Sequence, residues 1–215
     1  MMNKAVNTLK IHETGIMAII RVDTVAKGLD IAKSCLDGGV NIMEISYTNN
    51  NAGEVIERLK SEFKHDMVIG AGTVLDQTTA RLAILSGSEF IISPSYDHNV
   101  QMISNLYQIP YAPGCTSYTE AVKALEGGAS FIKAFPISSY YGPDLISTFK
   151  VPFPKMPILS SGGANLENLH RWVEVGTDCI GIGGLLSKGS CQEITNNAKQ
   201  LRKILVETRE KLKNN

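Results

Sequence analysis

The heptapeptide Ser130-Phe131-Ile132-Lys133-Ala134-Phe135-Pro136 is an apolar run with one lysine at its centre. Gly127-Gly128 before it and Pro136 at its end bound it as a single buried strand. On a strand, Phe131, Lys133 and Phe135 share one face, while Ile132 and Ala134 share the other. An ammonium held between two phenylalanines is costly to keep charged. Burial pulls a lysine down from its reference pKa of about 10.4. A partly neutral amine in an apolar pocket is the nucleophile that a Schiff base with a ketone requires. Taken alone, the same residues fit a structural lysine paired with a buried carboxylate.

The pattern around this strand repeats along the chain. Strands are expected at Ile16–Val22, Asn41–Thr48, Met67–Thr73, Phe90–Ser95, Ile109–Cys115, Phe131–Pro136, Pro157–Gly162 and Cys179–Gly184. Helical stretches separate them, the first from about Thr24 to Leu36. Prolines 143, 152, 154 and 157 confine the helix after the sixth strand to roughly Asp144–Phe149. The last helix, about Gln192 to Lys213, carries Ile194, Ala198, Leu201 and Leu205 at helical spacing. Residues 3–14 read as a short amphipathic helix ahead of the first strand, so that 1–14 forms an N-terminal extension. Near-continuous apolar strands bounded by helices mean a parallel sheet covered on both faces. Eight such units favour one compact (β/α)8 TIM barrel over 1–215. A doubly wound open sheet would place a glycine-rich fingerprint after the first strand, where this chain has Arg21-Val22-Asp23-Thr24.

Composition removes several functional classes. The formal net charge is +0, so no basic field points to nucleic acid or to an anionic membrane. Met1-Met2-Asn3-Lys4 leads into polar residues without a signal-peptide core, and apolar runs fall far short of the ~20 residues that cross a bilayer. A cytoplasmic location is the resulting expectation. Cys35, Cys115, Cys179 and Cys191 form no CxxC pair, and Cys115 and Cys179 read as small buried hydrophobes.

Active sites of such barrels gather at the carboxyl ends of the strands. Glu44 stands there, sharing a strand face with Ile42, Ser46 and Thr48. A carboxylate pointing into a barrel is expensive unless paired or poised for proton transfer. Schiff-base chemistry needs such a proton carrier, whereas a structural protein could use the same pair as a buried ion pair. Ser161-Gly162-Gly163 follows the seventh strand and Gly183-Gly184 ends the eighth. Loops at those two positions commonly cradle phosphate with bare N–H groups, although glycines also simply permit tight turns. His12, His65, His98 and His170 all fall away from strand carboxyl ends, which argues against a catalytic metal.

In combination, these residues resemble a known family. The set comprises Glu44-Ile45-Ser46, Ile69-Gly70-Ala71-Gly72-Thr73-Val74, Ser93-Pro94, Pro113-Gly114-Cys115, Phe131-Ile132-Lys133-Ala134-Phe135-Pro136, Gly142-Pro143 and Ser161-Gly162-Gly163. It is similar to the class I aldolases for 2-keto-3-deoxy-6-phosphogluconate and 4-hydroxy-2-oxoglutarate, over about residues 11 to 210. That resemblance implies a homotrimer of compact barrels that needs no cofactor. Its expected small-molecule substrate is a 2-keto-3-deoxy sugar acid phosphate, cleaved to pyruvate and glyceraldehyde 3-phosphate. By matching position, Lys133 is the Schiff-base lysine and Glu44 the general acid/base. Thr73, Pro94 and Phe135 line the pyruvate pocket, and Ser161, Gly162, Gly163, Gly183 and Gly184 hold phosphate.

Three departures bear on the substrate. Thr48 stands where some members carry a carboxylate-binding arginine, and Arg21 is the candidate replacement, since its planar fork suits a carboxylate. Ser160-Ser161 replaces a Pro-Thr pair while keeping a hydroxyl, and Leu185 stands where some members have a serine. The Ser138–Pro143 stretch is similar to sister enzymes acting on the galactonate epimer. Outside the lyases, the same residues suit a phosphate-binding isomerase or epimerase working without an imine, or a non-catalytic barrel, against which the retention of Glu44 and Lys133 argues.

Overall fold

The computed structural model describes residues 2–136 and 138–214. Helix α1 (Asn3–Thr14) precedes nine parallel strands: β1 Ile16–Ile20, β2 Ile42–Ser46, β3 Val68–Gly72, β4 Ile91–Ile92, β5 Tyr111–Ala112, β6 Gly114–Cys115, β7 Ile132–Ala134, β8 Ile158–Ser161 and β9 Cys179–Ile182. They are ordered β5-β4-β3-β2-β1-β9-β8-β7-β6. The two end strands, β5 and β6, are separated in the chain by Pro113 alone.

That break corrects the expectation of one continuous fifth strand over Ile109–Cys115. Proline has no N–H to give the ladder, so the regular pattern lapses at Pro113. The neighbours still bond through it. Ser93 N–H donates to the Ala112 carbonyl at 3.2 Å, Gly114 N–H to Ser93 at 2.9 Å, and Lys133 N–H to the Pro113 carbonyl at 2.8 Å. The two halves are therefore one stave, and the sheet closes as an eight-stave (β/α)8 barrel.

Most strands are shorter than the sequence suggests, because their carboxyl ends turn out of the ladder where the site is built. β2 stops at Ser46 instead of Thr48, and β3 at Gly72 because Thr73 adopts φ +60°. Helices α2 (Val25–Asp37), α3 (Ala52–Phe63), α4 (Gln77–Leu85), α5 (His98–Leu106), α6 (Tyr118–Glu126), α8 (Pro143–Lys150), α9 (Leu169–Glu174) and α10 (Cys191–Lys213) wrap the barrel. A short α7 (Ser138–Tyr141) was not legible, since four residues show no helical period.

Side chains at the start of several helices fix the βα loops. Thr24, Asp76 and Asp97 each accept a backbone N–H three residues on. Ser117 with Glu120, and Ser190 with Glu193, form capping boxes. These caps anchor the connections at the carboxyl ends of the strands.

The core has two parts. Outward strand residues such as Met43, Ile45, Ile132 and Ala134 pack under the helices. Inside the barrel, Met17, Ile42, Val68, Phe90, Phe131 and Leu159 form a separate apolar cluster with Ile11. Ile11 belongs to α1, so the N-terminal helix closes the amino end of the barrel. Lys4 secures it, donating to Asn105 Oδ1 at 2.7 Å and to the Gly128 carbonyl at 2.8 Å. Among the described residues, no helix is long and apolar enough to cross a membrane.

Candidate active site

Strand alternation delivers the acid and the amine to one space. On β2, Ile42 joins the inner cluster and Met43 and Ile45 the outer one, so Glu44 faces the barrel interior. On β7, Phe131 is inner while Ile132 and Ala134 are outer, which turns Lys133 inward too. Both side chains sit one level above the apolar plug. Glu44 is 2% exposed and Lys133 6%. A cavity of about 310 Å³ opens over them, lined by Ile19, Arg21, Glu44, Thr73, Pro94, Lys133, Phe135, Ser161, Gly162, Gly181 and Gly183.

Glycines hollow out this level of the barrel. A Cβ at Gly72 would overlap the Glu44 carboxyl, and one at Gly181 would come within 2.7 Å of Ile19 Cδ1. Lower down, Phe90 lies over Gly70. Without the bare position at Gly72 the inward acid would have no room above the plug.

The electrostatics follow from burial. Desolvation raises the Glu44 pKa above the carboxylate norm, opposed by the positive charges of Lys133 and Arg21. Desolvation likewise lowers Lys133, opposed by Glu44 and assisted by Arg21. Both shifts move the pair toward its neutral forms, the amine and the acid. None of the ion pairs among the described residues joins the two. Glu44 Oε2 is buried without a hydrogen-bond partner among the described residues. Lys133 Nζ lies 4.5 Å from the centroid of the Phe135 ring, a cation–π contact when the amine is charged.

Thr73 carries a backbone conformation that a β-branched residue rarely adopts, with φ +60°. Such conformations persist where the surroundings over-determine them, often at functional sites. The surroundings here are visible. Tyr47 N–H donates to the Gly72 carbonyl at 2.8 Å, and Ser46 Oγ is 2.8 Å from Thr73 Oγ1.

Opposite, Ser161 is 8% exposed at the end of β8. Gly162 and Gly163 follow with φ +94° and +87°, values that strain any L side chain. Gly183 and Gly184 have open space where a Cβ would be. Among the described residues, the N–H groups of Gly162, Gly163 and Gly183 take no part in the backbone bonds of turns and loops.

A family model described as "Aldolase: KDPG and KHG aldolase" matches residues 7–204. The chain belongs to this aldolase family. It is 30% identical to the 2-dehydro-3-deoxy-phosphogluconate aldolase of Treponema pallidum (strain Nichols) over 74% of this chain and 75% of the relative. It is also 30% identical to the 2-dehydro-3-deoxy-6-phosphogalactonate aldolase of Escherichia coli (strain K12), over 86% of this chain and 90% of the relative. A solved structure described as native KDPGal superposes with a TM-score of 0.85 at 29% identity, covering 91% of this chain and 96% of that one. Aldolases are lyases, and membership places this chain among them.

Measured against the aldolase expectation, Lys133, Glu44, Arg21, Thr73, Pro94, Phe135, Ser161, Gly162 and Gly183 meet around one cavity. Gly163 and Gly184 come next in the chain but are not among its described lining residues. Thr48 lies to one side, bordering a polar depression with Asp23, Asn49, Asn50 and Asn51. Of the Ser138–Pro143 stretch, the side chains of Ser138 and Ser139 lie outside the described residues. Sequence reasoning missed Ile19 and Gly181 as lining residues and Gly72 as the seat of the acid. The available signal was alternation, which puts Gly70 and Gly72 on one strand face. Cys115 and Cys179 are buried thiols, as expected, and burial pushes Cys115 up to about 12.

Proposed function

We propose that this chain is a class I aldolase cleaving 2-dehydro-3-deoxy-6-phosphogluconate to pyruvate and glyceraldehyde 3-phosphate through an imine on Lys133. The observation that carries the reading is a buried amine and a buried carboxyl lining one cavity, Lys133 6% and Glu44 2% exposed, with burial lowering the amine and raising the acid. A neutral amine adds to the C2 ketone, and the oxygen takes a proton to give a carbinolamine. Loss of water leaves the protonated imine. The C3–C4 bond then breaks as the C4 hydroxyl surrenders its proton. Its electron pair flows into the imine, forming an enamine and releasing the aldehyde. Reprotonation at C3 and hydrolysis release pyruvate and restore the amine.

Glu44 is the proton carrier for these steps. Burial raises it above the carboxylate norm, which favours its holding a proton, and its Oε2 has no competing partner among the described residues. Arg21 at the cavity mouth anchors the carboxylate of the keto acid. Pro94 and Phe135 pack against its apolar part. The Ser161-Gly162-Gly163 turn and Gly183-Gly184 receive the phosphate. Cleavage of 4-hydroxy-2-oxoglutarate to pyruvate and glyoxylate uses the same imine without the phosphate contacts.

The galactonate epimer is a second substrate reading, supported by similarity to relatives described for that substrate. A homotrimer is the assembly the family resemblance implies, and exposed Leu82 and Leu85 of α4 with Met102 and Leu106 of α5, two helices in contact, offer apolar surface for self-association. Light scattering on the purified protein measures that directly.

The deciding experiment is incubation with pyruvate and borohydride. A pyruvyl mass on Lys133 is the expected result. Folded protein without the adduct removes the mechanism and leaves an imine-free barrel enzyme. A panel of the two six-carbon epimers and the five-carbon diacid then ranks the substrates.

A further inference from the structure

The loop that follows β1 is held from the loop beside it. Four residues, Arg21 to Thr24, join β1 to α2, and Thr24 caps the helix by accepting from the Lys27 N–H at 3.3 Å. Among the described residues, the carbonyls of Val22 and Asp23 enter none of the backbone bonds of turns and loops. The loop after β2 takes both. Asn49 Nδ2 donates to the Val22 carbonyl at 2.7 Å, and Asn51 Nδ2 donates to the Asp23 carbonyl at 3.1 Å. A carbonyl oxygen only accepts, so the direction of both bonds is fixed.

Asn51 stands just before α3, where an asparagine ordinarily caps its own helix. Its side chain makes no capping bond there and reaches the neighbouring loop instead. The β1–β2 ladder ends at the pair Ile20 and Ile45. Past that pair, the two asparagines carry the connection on through their side chains.

Arg21 lies within the span they hold. It lines the cavity with Glu44 and Lys133 and directly precedes Val22. It is exposed, and none of the ion pairs among the described residues holds its guanidinium. A long side chain without a fixed partner keeps much rotamer freedom, so its backbone sets the region its charge can occupy.

We infer that Asn49 and Asn51 are positioning residues that hold the rim after β1 in place and so keep the Arg21 guanidinium over the cavity. The inference rests on the reading of Arg21 as the anchor of the keto acid carboxylate, and its test separates the two. Arg21 also acts on the Lys133 amine, which burial lowers, Glu44 on β2 raises and Arg21 after β1 lowers further. A loosened rim therefore leaves two signatures: weaker keto acid binding, and imine trapping that needs a higher pH.

Pyruvate affinity by calorimetry, the pH profile of pyruvate–borohydride trapping and thermal melting are measured for the unsubstituted protein, Arg21→Ala, Asn49→Ala, Asn51→Ser and the combination of Arg21→Ala with Asn49→Ala. Asn49→Ala is expected to weaken pyruvate binding roughly threefold to tenfold, the effect of one lost hydrogen bond, and to shift the rising limb of trapping to higher pH. Asn51→Ser gives up the reach to Asp23 but keeps a residue favoured ahead of a helix. It is expected to melt with the unsubstituted protein and to show both changes in smaller measure. In the Arg21→Ala background, Asn49→Ala should add nothing. Unchanged affinity and profile in both asparagine variants, or losses that add to those of Arg21→Ala, would overturn the inference while the Arg21 reading stands. An Arg21→Ala protein that keeps its affinity and profile would overturn that reading and the inference with it. Should Asn49→Ala not fold, Asn51→Ser decides by the same two readouts. Affinity is read without an adduct, so it decides even where trapping fails.

Discussion

The Glu44 carboxyl occupies the space that a side chain at Gly72 would fill. The acid on one strand is thus seated by the absence of a side chain on the next. Gly72 has no positive φ, so alanine suits the backbone, and the three atoms nearest its methyl all belong to the acid. Gly72→Ala is expected to lower kcat on the order of 10²-fold, the cost of misplacing a reacting group by about 1 Å. Steady-state kinetics on folded variant checks this; activity equal to the unsubstituted protein would show that the carboxyl does not need that seat.

Glu44→Gln should leave pyruvate capture by Lys133 largely intact while slowing turnover on the order of 10²–10⁴-fold. Comparing trapping rate with cleavage rate separates the two. Equal turnover would assign the proton transfers to another group.

The pH profile of trapping carries a sign test. Only the neutral amine attacks, so the rate rises as pH passes upward through the Lys133 pKa, which burial holds below the ordinary lysine value. Glu44 raises that pKa and Arg21 lowers it. Removing the acid in Glu44→Gln should therefore shift the rising limb to lower pH. Removing the cation in Arg21→Ala should shift it to higher pH. Shifts in the same direction would contradict the arrangement of charges around Lys133.

Arg21→Ala should also weaken pyruvate binding by roughly tenfold to a hundredfold, the range of a hydrogen bond to a charged group. Titration of the keto acid measures it. Retained affinity would mean that another group anchors the carboxylate.

Gly163 sits at φ +87°, where a Cβ is strained. Gly163→Ala is expected to raise KM for the phosphorylated substrates severalfold and to leave pyruvate trapping unchanged. A loss of both would place the turn in the pyruvate pocket instead of the phosphate cradle.

The barrel was legible because its signals are local. Apolar strands alternating with helical stretches recur through the chain, and each strand obeys the two-residue period that assigns Glu44 and Lys133 to inward faces. Strand lengths were overread, since Val22, Thr48 and Thr73 are strand-like in composition yet leave the ladder to build the rim. The break at Pro113 follows from a missing N–H, but that bonding continues on both sides of it required the neighbouring strands.

The sequence alone determined that an amine and an acid stand at strand carboxyl ends with glycine pairs after the last two strands. Period and punctuation are properties of the chain itself. The tertiary structure decided which bare position seats the acid, that Thr73 takes a left-handed backbone, and that Asn49 and Asn51 reach across to the loop after β1. Those relations depend on the register between separate strands and on the burial that register creates. Local patterning carries no information about either until the ring closes.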